Sequence, residues 1–173
     1  MSYRNRAFLI LSVLAAGTIF LTTACKKSNT TANPNGALSA TIADTAWYPY
    51  YTTALYYSGQ GLYQINGVAA AATKGDSSFL QISFSAPIQV GKVISTDTAS
   101  VDYYDSRGYF DWGAGTNSGN GVAYITVTSY DSVNHKIAGS IKGSLSSGLA
   151  GASWTDTVLL NTGEFNLTYT VLP

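Results

Sequence analysis

From Leu38 onward, short stretches in which every second residue is apolar alternate with clusters of Gly, Asn, Asp and Ser, and this pattern restricts the chain to β-structure. Successive side chains of a strand point to opposite faces, so a period of two describes a strand with one buried face. Leu80, Ile82 and Phe84 lie on one face with Gln81, Ser83 and Ser85 on the other, and the segment stops at Pro87. Ala123, Ile125 and Val127 alternate with Tyr124, Thr126 and Thr128. After a turn at Asp131 to His135, Ile137, Ile141 and Leu145 alternate with Lys136, Ser140 and Lys142, which predicts a hairpin. A second hairpin is expected from Thr157 to Leu160, a tight Asn161-Thr162-Gly163-Glu164 connection, and a last strand with Phe165, Leu167, Tyr169 and Val171 on one face. Weaker strands are read at Leu38 to Ile42, Leu62 to Ala69, Lys92 to Ser95, Ser100 to Tyr104 and Tyr109 to Trp112. No segment of this region has helical periodicity. The expected fold is all-β, an antiparallel β-sandwich of about eight or nine strands, with a closed calycin-like β-barrel as the alternative.

The first 37 residues obey a different logic. Arg4 and Arg6 precede an apolar run from Ala7 to Phe20, then Leu21-Thr22-Thr23-Ala24, then Cys25, the only cysteine of the chain. The apolar run is short for a membrane span, and a lone cysteine forms no intramolecular disulfide. This arrangement resembles a bacterial lipoprotein signal, although Thr22 stands where that family usually has Leu. The resemblance implies a signal peptide over residues 1–24, lipidation of Cys25, and anchoring in a membrane through that lipid. Residues 25–37 continue as Lys26-Lys27-Ser28 and a polar Pro- and Gly-bearing stretch, expected to be a flexible tether, leaving 38–173 as a single domain. In such envelopes the absence of Asp after the lipidated Cys favours the outer membrane, and the absence of an acidic run favours the periplasmic side over the cell surface.

A second resemblance covers nearly all of the mature chain. The segment Leu38 to Trp47, the pair Gly121 to Thr128 and Ile137 to Gly143, and the closing Thr162-Gly163-Glu164-Phe165 resemble a family of small Bacteroidota-type outer-membrane lipoproteins of unknown function. That family has an alanine-rich first strand ending in Trp and a closing T-x-G-x-F hairpin. Here Asp44-Thr45 replaces its usual Asp-Gly, and Ile141 its usual Phe. The resemblance implies a fold and an address, and it carries over no catalytic residue.

The charge pattern narrows the chemistry. The formal net charge is +0 and charged residues are 10% of the chain, so no basic stripe is available to neutralise phosphates and nucleic acid is not an expected partner. His135 is the only histidine and sits in a turn beside Lys136, which gives a histidine-based triad little to build on. With one Cys and one His, a zinc-type site has no ligand set, and no metal or other cofactor is expected. Asp97, Asp102, Asp105 and Asp111 offer oxygen ligands, but their spacing fits no calcium loop and Arg107 lies among them. The glycine-rich run Gly113 to Gly121 lacks the Lys-Ser/Thr ending of a phosphate cradle and reads as an inter-strand loop.

Aromatic residues are in excess, at 13% of the chain with 13 Tyr. Alternating Tyr in strands serves sheet packing, yet consecutive pairs such as Tyr50-Tyr51 and Tyr103-Tyr104 must present one ring to each face. Exposed rings stack on sugars or anchor a protein partner, so Trp47, Tyr50, Tyr51, Tyr103, Tyr104 and Trp112 are the candidate ligand-binding aromatics. Asp44-Thr45-Ala46, Asp97-Thr98-Ala99, Asp131-Ser132-Val133 and Asp156-Thr157-Val158 resemble the O-glycosylation acceptor of such envelope proteins, which makes Thr45, Thr98, Ser132 and Thr157 candidate acceptors. The expectation is a non-enzymatic binding or interaction module for a glycan or an envelope protein. Its rivals are a calycin-like carrier of a small apolar ligand and a glycan-acting hydrolase, which would need two carboxylates converging in a cleft.

Overall fold

A computed structural model describes residues 37–70, 77–95, 98–105, 110–115, 121–147 and 157–173, with the backbone alone at 110 and 111. Twelve strands account for almost all of them: β1 (Leu38–Ile42), β2 (Thr45–Trp47), β3 (Tyr51–Tyr57), β4 (Leu62–Ala70), β5 (Ser77–Ser85), β6 (Val93–Ser95), β7 (Ala99–Asp105), β8 (Phe110–Gly115), β9 (Val122–Asp131), β10 (Lys136–Ser147), β11 (Thr157–Thr168) and β12 (Thr170–Leu172). The fold is all-β. Residues 1–36, which include Cys25 and all of the expected signal and tether except Ala37, lie outside the described residues.

The strands form one hydrogen-bonded sheet in the order β12-β3-β4-β5-β7-β8-β10-β11-β1-β2, with β9 bonded to β10 and β6 to β9. The sheet curls into a half-barrel, a form between the two layouts left open by the sequence. Two features produce the curl. β10 pairs with β9 from Lys136 to Ser144 and then, at Ser146 and Ser147, with β8, so one long strand belongs to both flanks. β11 pairs with β10 and β1, and the chain then crosses to place β12 beside β3. The β12–β3 pair is parallel, which corrects the expectation of a wholly antiparallel sheet.

The inner face is built from the predicted alternation. Leu80, Ile82, Phe84, Val101, Ile125, Val127 and Leu145 are fully buried, and Ile65, Ile137 and Leu160 nearly so. Each such side chain contributes roughly 1.5–3 kcal/mol through removal from water. The interior is therefore packed with side chains. At Gly139 of β10 the Phe165 ring lies where a Cβ would be, and at Gly67 of β4 the ends of Leu38 and Trp47 lie 2.6 and 2.7 Å from such a Cβ. Both glycines admit a large neighbour onto the sheet.

The hairpin of β9 and β10 around Asp131 to His135 is as expected. Three other expectations are corrected. The Asn161 to Glu164 segment is not a turn: β11 runs through it, and both β10 and β1 shift register there, pairing Gly163 and Thr162 on one side and Leu160 on the other. An extra residue opposed to both neighbours is a bulge, and Asn and Gly signal bulges as readily as turns. Val171 does not share the buried face of Phe165, Leu167 and Tyr169, because the chain has left β11 by then; it is 43% exposed. Finally, Gly113, Ala114 and Gly115 belong to β8 rather than to a loop, while residues 116–120 lie outside the described residues.

Candidate ligand-binding site

Five of the six candidate aromatics separate into two groups on opposite faces of the sheet, and the sixth, Tyr50, lies just outside it. Tyr103 and Tyr104 show the division within one strand: Tyr103 is buried at 7% exposure, while Tyr104 is 37% exposed on the outside. Trp47, Tyr103 and Trp112 point inward. Tyr51 and Tyr104 lie outward, and Tyr50, 64% exposed, precedes β3 at its entry, with its backbone N–H donating to the Val68 carbonyl at 2.9 Å.

On the outer face the register aligns Tyr51 with Val68, Val68 with Phe79, and Phe79 with Tyr104. This row crosses β3, β4, β5 and β7 in sequence, with steps of about 4.8 Å between strands. The next row on the same face is Thr53, Asn66, Gln81 and Asp102. Asn66 Nδ2 donates to Thr53 Oγ1 at 3.2 Å, which fixes the amide, and its Oδ1 has no hydrogen-bond partner. Gln81 Nε2 donates to Ser83 Oγ at 3.3 Å. An apolar, ring-bearing row therefore runs beside a row of amides, a hydroxyl and a carboxylate, across four strands.

On the inner face, at the end where β4, β7 and β10 finish, Trp47, Tyr103, Trp112, Ser78 and Asp105 line a cleft of about 570 Å3 beneath the β1–β2 turn. Tyr103 and Trp112 are cross-strand partners and stack at 5.8 Å between ring centroids, 24° from parallel. The Trp47 indole N–H donates to Ser78 Oγ at 2.7 Å, a buried bond that fixes its ring. Ser78 and Asp105 stand opposite each other in register and are both buried. The remaining wall is small and apolar, with Ala46, Ala70 and Val158.

The other candidates are placed as follows. Asp102 and Asp105 lie on opposite faces of β7, so the sheet keeps these two apart rather than gathering them as calcium ligands. Asp97, Arg107 and the Asp111 side chain lie outside the described residues, among which no group of three His, Cys, Asp or Glu could hold a metal. His135 is exposed at φ 53 and stacks on Tyr169 at 5.2 Å. Thr45, Thr98, Ser132 and Thr157 are all exposed, each in a turn or at a strand start.

One grouping escapes sequence reasoning. Tyr63 of β4, Tyr130 of β9 and Tyr169, between β11 and β12, meet from distant parts of the chain, with Tyr63 and Tyr130 hydroxyls 2.7 Å apart and the Tyr169 hydroxyl donating to that of Tyr130 at 3.4 Å. Tyr56 stacks on Tyr63 at 4.3 Å. Burial, then the bond to Tyr130, drives the Tyr63 phenol far above its ordinary value and lifts Tyr169 to about 12. Their separation in sequence gives no local signal that could have joined them.

No family model, no curated protein and no solved structure matches this chain.

Proposed function

We propose that this chain is a membrane-anchored lipoprotein of the cell envelope, processed after residue 24 and lipidated at Cys25, whose β-domain binds a linear glycan without catalysing a reaction. The observation that carries this reading is the outer row of Tyr51, Val68, Phe79 and Tyr104 beside Thr53, Asn66, Gln81 and Asp102. Pyranose rings offer an apolar C–H face to aromatic rings and an equatorial rim of hydroxyls to amides and carboxylates. Two parallel rows of those kinds, stepping from strand to strand, suit an extended sugar chain laid across the strands.

The rival readings find less support. A calycin-like carrier needs an emptied interior, and the half-barrel is filled by Leu80, Ile82, Phe84, Ile125 and Ile137. A hydrolase needs two carboxylates in one cleft, whereas Asp102 and Asp105 occupy opposite faces of the sheet, and Glu164, the sole glutamate, is on another flank, in β11. The placement of the anchored domain on the periplasmic side of the outer membrane, and O-glycosylation of Thr45, Thr98, Ser132 or Thr157, are part of the same proposal. The exposure of those four hydroxyls supports it.

The test is a glycan array followed by titration calorimetry on the mature chain. Binding to an oligosaccharide that falls at least tenfold in Tyr51→Ala and in Tyr104→Ala, both surface positions, is the expected result; each lost stack corresponds to roughly 1–3 kcal/mol by analogy with base stacking on aromatic side chains. Binding that survives both substitutions would remove the outer face from consideration. Intact mass from the native host should exceed the lipidated chain by whole glycan units.

A further inference from the structure

The outer face of the other flank, where β6, β9, β10 and β11 lie side by side, carries a groove of about 480 Å3. Register orders its lining. Val93 stands opposite Thr126, Thr126 opposite Ser140, and Ser140 opposite Glu164, one row across four strands. In the adjoining row Tyr124 stands opposite Lys142. The groove is therefore apolar over β6 and β9, where Val93 is 52% and Tyr124 43% exposed, lined by hydroxyls along its middle, and charged over β10 and β11. A ligand that covers the apolar end withdraws that area from water.

The charges decide which ligand fits. Lys142 and Glu164 are both exposed, and among the described residues neither has an ion-pair or hydrogen-bond partner. They do not face each other. Ser140 is the residue opposite Glu164, and Lys142 lies two positions beyond it, a diagonal of about 7–8 Å between Cα atoms on neighbouring strands. Among the described residues that line the groove, no other side chain is charged. An anion or a cation alone would answer one of the two groups and be repelled by the other. A molecule with both charges answers both, provided that they are spaced to match the diagonal. The ammonium and carboxylate of a free amino acid share one carbon and are too close, whereas the two ends of an extended dipeptide stand at most about 7 Å apart. The hydroxyls of Thr126 and Ser140 donate as well as accept, so they suit the N–H and the C=O of the intervening peptide group.

We propose that this groove binds a free dipeptide with apolar side chains, its carboxylate at the Lys142 ammonium, its ammonium at the Glu164 carboxylate, and a side chain against Tyr124 and Val93. The site shares no residue with the glycan row on the β3-β4-β5-β7 face, and each stands if the other fails.

The experiment follows the backbone 15N–H signals of Thr126 and Ser140 in the full-length chain, held in a non-ionic detergent, as L-leucyl-L-leucine is added at constant low ionic strength. Saturable movement of both signals is the expected result. N-acetylated dipeptide, dipeptide amide, free leucine and a tetrapeptide with two glycines between its leucines should each bind at least about threefold more weakly, the scale of one exposed charge contact. The substitutions then separate the two ends. Lys142→Gln should bring the dipeptide down to the level of its amide and keep the preference over the acetylated form; Glu164→Gln should do the converse. Both positions are exposed, so both variants keep the fold. Equal binding of the dipeptide and its two blocked forms, or preferences that survive both substitutions, would overturn the proposal. Absence of saturation would also overturn it. A chain that sediments as a dimer, and as a monomer once Lys142→Glu is introduced, would overturn it in favour of a second copy covering the face.

Discussion

At the scale of single residues, the turn joining β1 to β2 holds the clearest local tension. Ala43 and Asp44 take φ of 48 and 60, the left-handed pair that a two-residue type I′ hairpin requires. Asp tolerates that region through local hydrogen bonding, and its Oδ1 accepts from Asn161 Nδ2 at 2.6 Å. Ala43 has no such compensation. Ala43→Asn or Ala43→Gly should therefore raise stability by about 0.5–1 kcal/mol, read as a higher midpoint in chemical denaturation, and an unchanged or lower midpoint would contradict the assignment of strain. Asp131 presents the opposite case. Its carboxylate accepts from the Asn134 side chain at 2.6 Å and from the backbone N–H groups of Asn134 and Val133, each at 2.9 Å. Those bonds, the Asn134 side chain first, hold its pKa below the ordinary 3.8. A lowered folded-state pKa means that the stabilisation is present above the ordinary value and is lost as pH falls through the folded one. Asp131→Asn should thus flatten the acid limb of the stability profile, and an NMR titration of Asp131 should give a midpoint below 3.8.

At the scale of elements, the strands that were legible in the sequence are those with one buried and one wet face. Leu80 to Phe84 and Ala123 to Val127 announce themselves because every second residue is apolar. β3 does not: in Tyr51-Thr52-Thr53-Ala54-Leu55-Tyr56-Tyr57 both faces carry amphipathic or apolar groups, so no alternation marks it. β2 and β12 have three residues each, too few for a period to show, and with β3 they are the strands the sequence does not mark as separate elements, whereas β6, equally short, matches the strand expected at Lys92 to Ser95. The bulge at Asn161 was misread as a turn because the same residue types serve both. Of the candidate site, the one-ring-per-face logic at Tyr103-Tyr104 was legible, but the joining of Trp47 to Tyr103 and Trp112 depends on the sheet curling, which no local pattern encodes. The curl also makes one element fragile. Gly139 lies under the Phe165 ring and against the Thr126 carbonyl, a backbone atom that cannot step aside. Gly139→Ala should cost about 2 kcal/mol or more through overpacking, visible as a lowered unfolding midpoint, and Phe165→Leu in the same background should recover part of it if the ring is what is displaced.

At the scale of the molecule, the curl is secured at a seam where chain order and spatial order disagree most. β11 bonds β10 and β1, and after the single residue Tyr169 β12 bonds β3, so residues 157–172 tie one flank of the sheet to the other. Tyr169 sits at the crossing, its backbone N–H donating to the His135 carbonyl at 2.8 Å and its ring packed between those of His135 and Tyr130. Tyr63 from β4 and Tyr130 from β9 complete a run of three phenols whose hydroxyls depend on remaining protonated. Tyr169, lifted to about 12 by burial and by Tyr130, and Tyr63, raised still further, keep their protons in the folded state beyond the ordinary 10.0. For an acid with a raised folded-state pKa, the stabilisation is complete below the ordinary value and is lost as pH rises through the folded one. The seam should therefore fail from the alkaline side. Absorbance at 295 nm should show at least two tyrosines ionising later than the rest, and their ionisation should coincide with loss of the far-ultraviolet β-signal. In Tyr130→Phe the delayed group should ionise closer to 10.0, with about 1 kcal/mol lost at neutral pH from the broken hydroxyl chain. If all tyrosines instead ionised together while the β-signal persisted, the three phenols would be neighbours that the fold does not need, and the closure would have to rest on the β12–β3 backbone bonds alone.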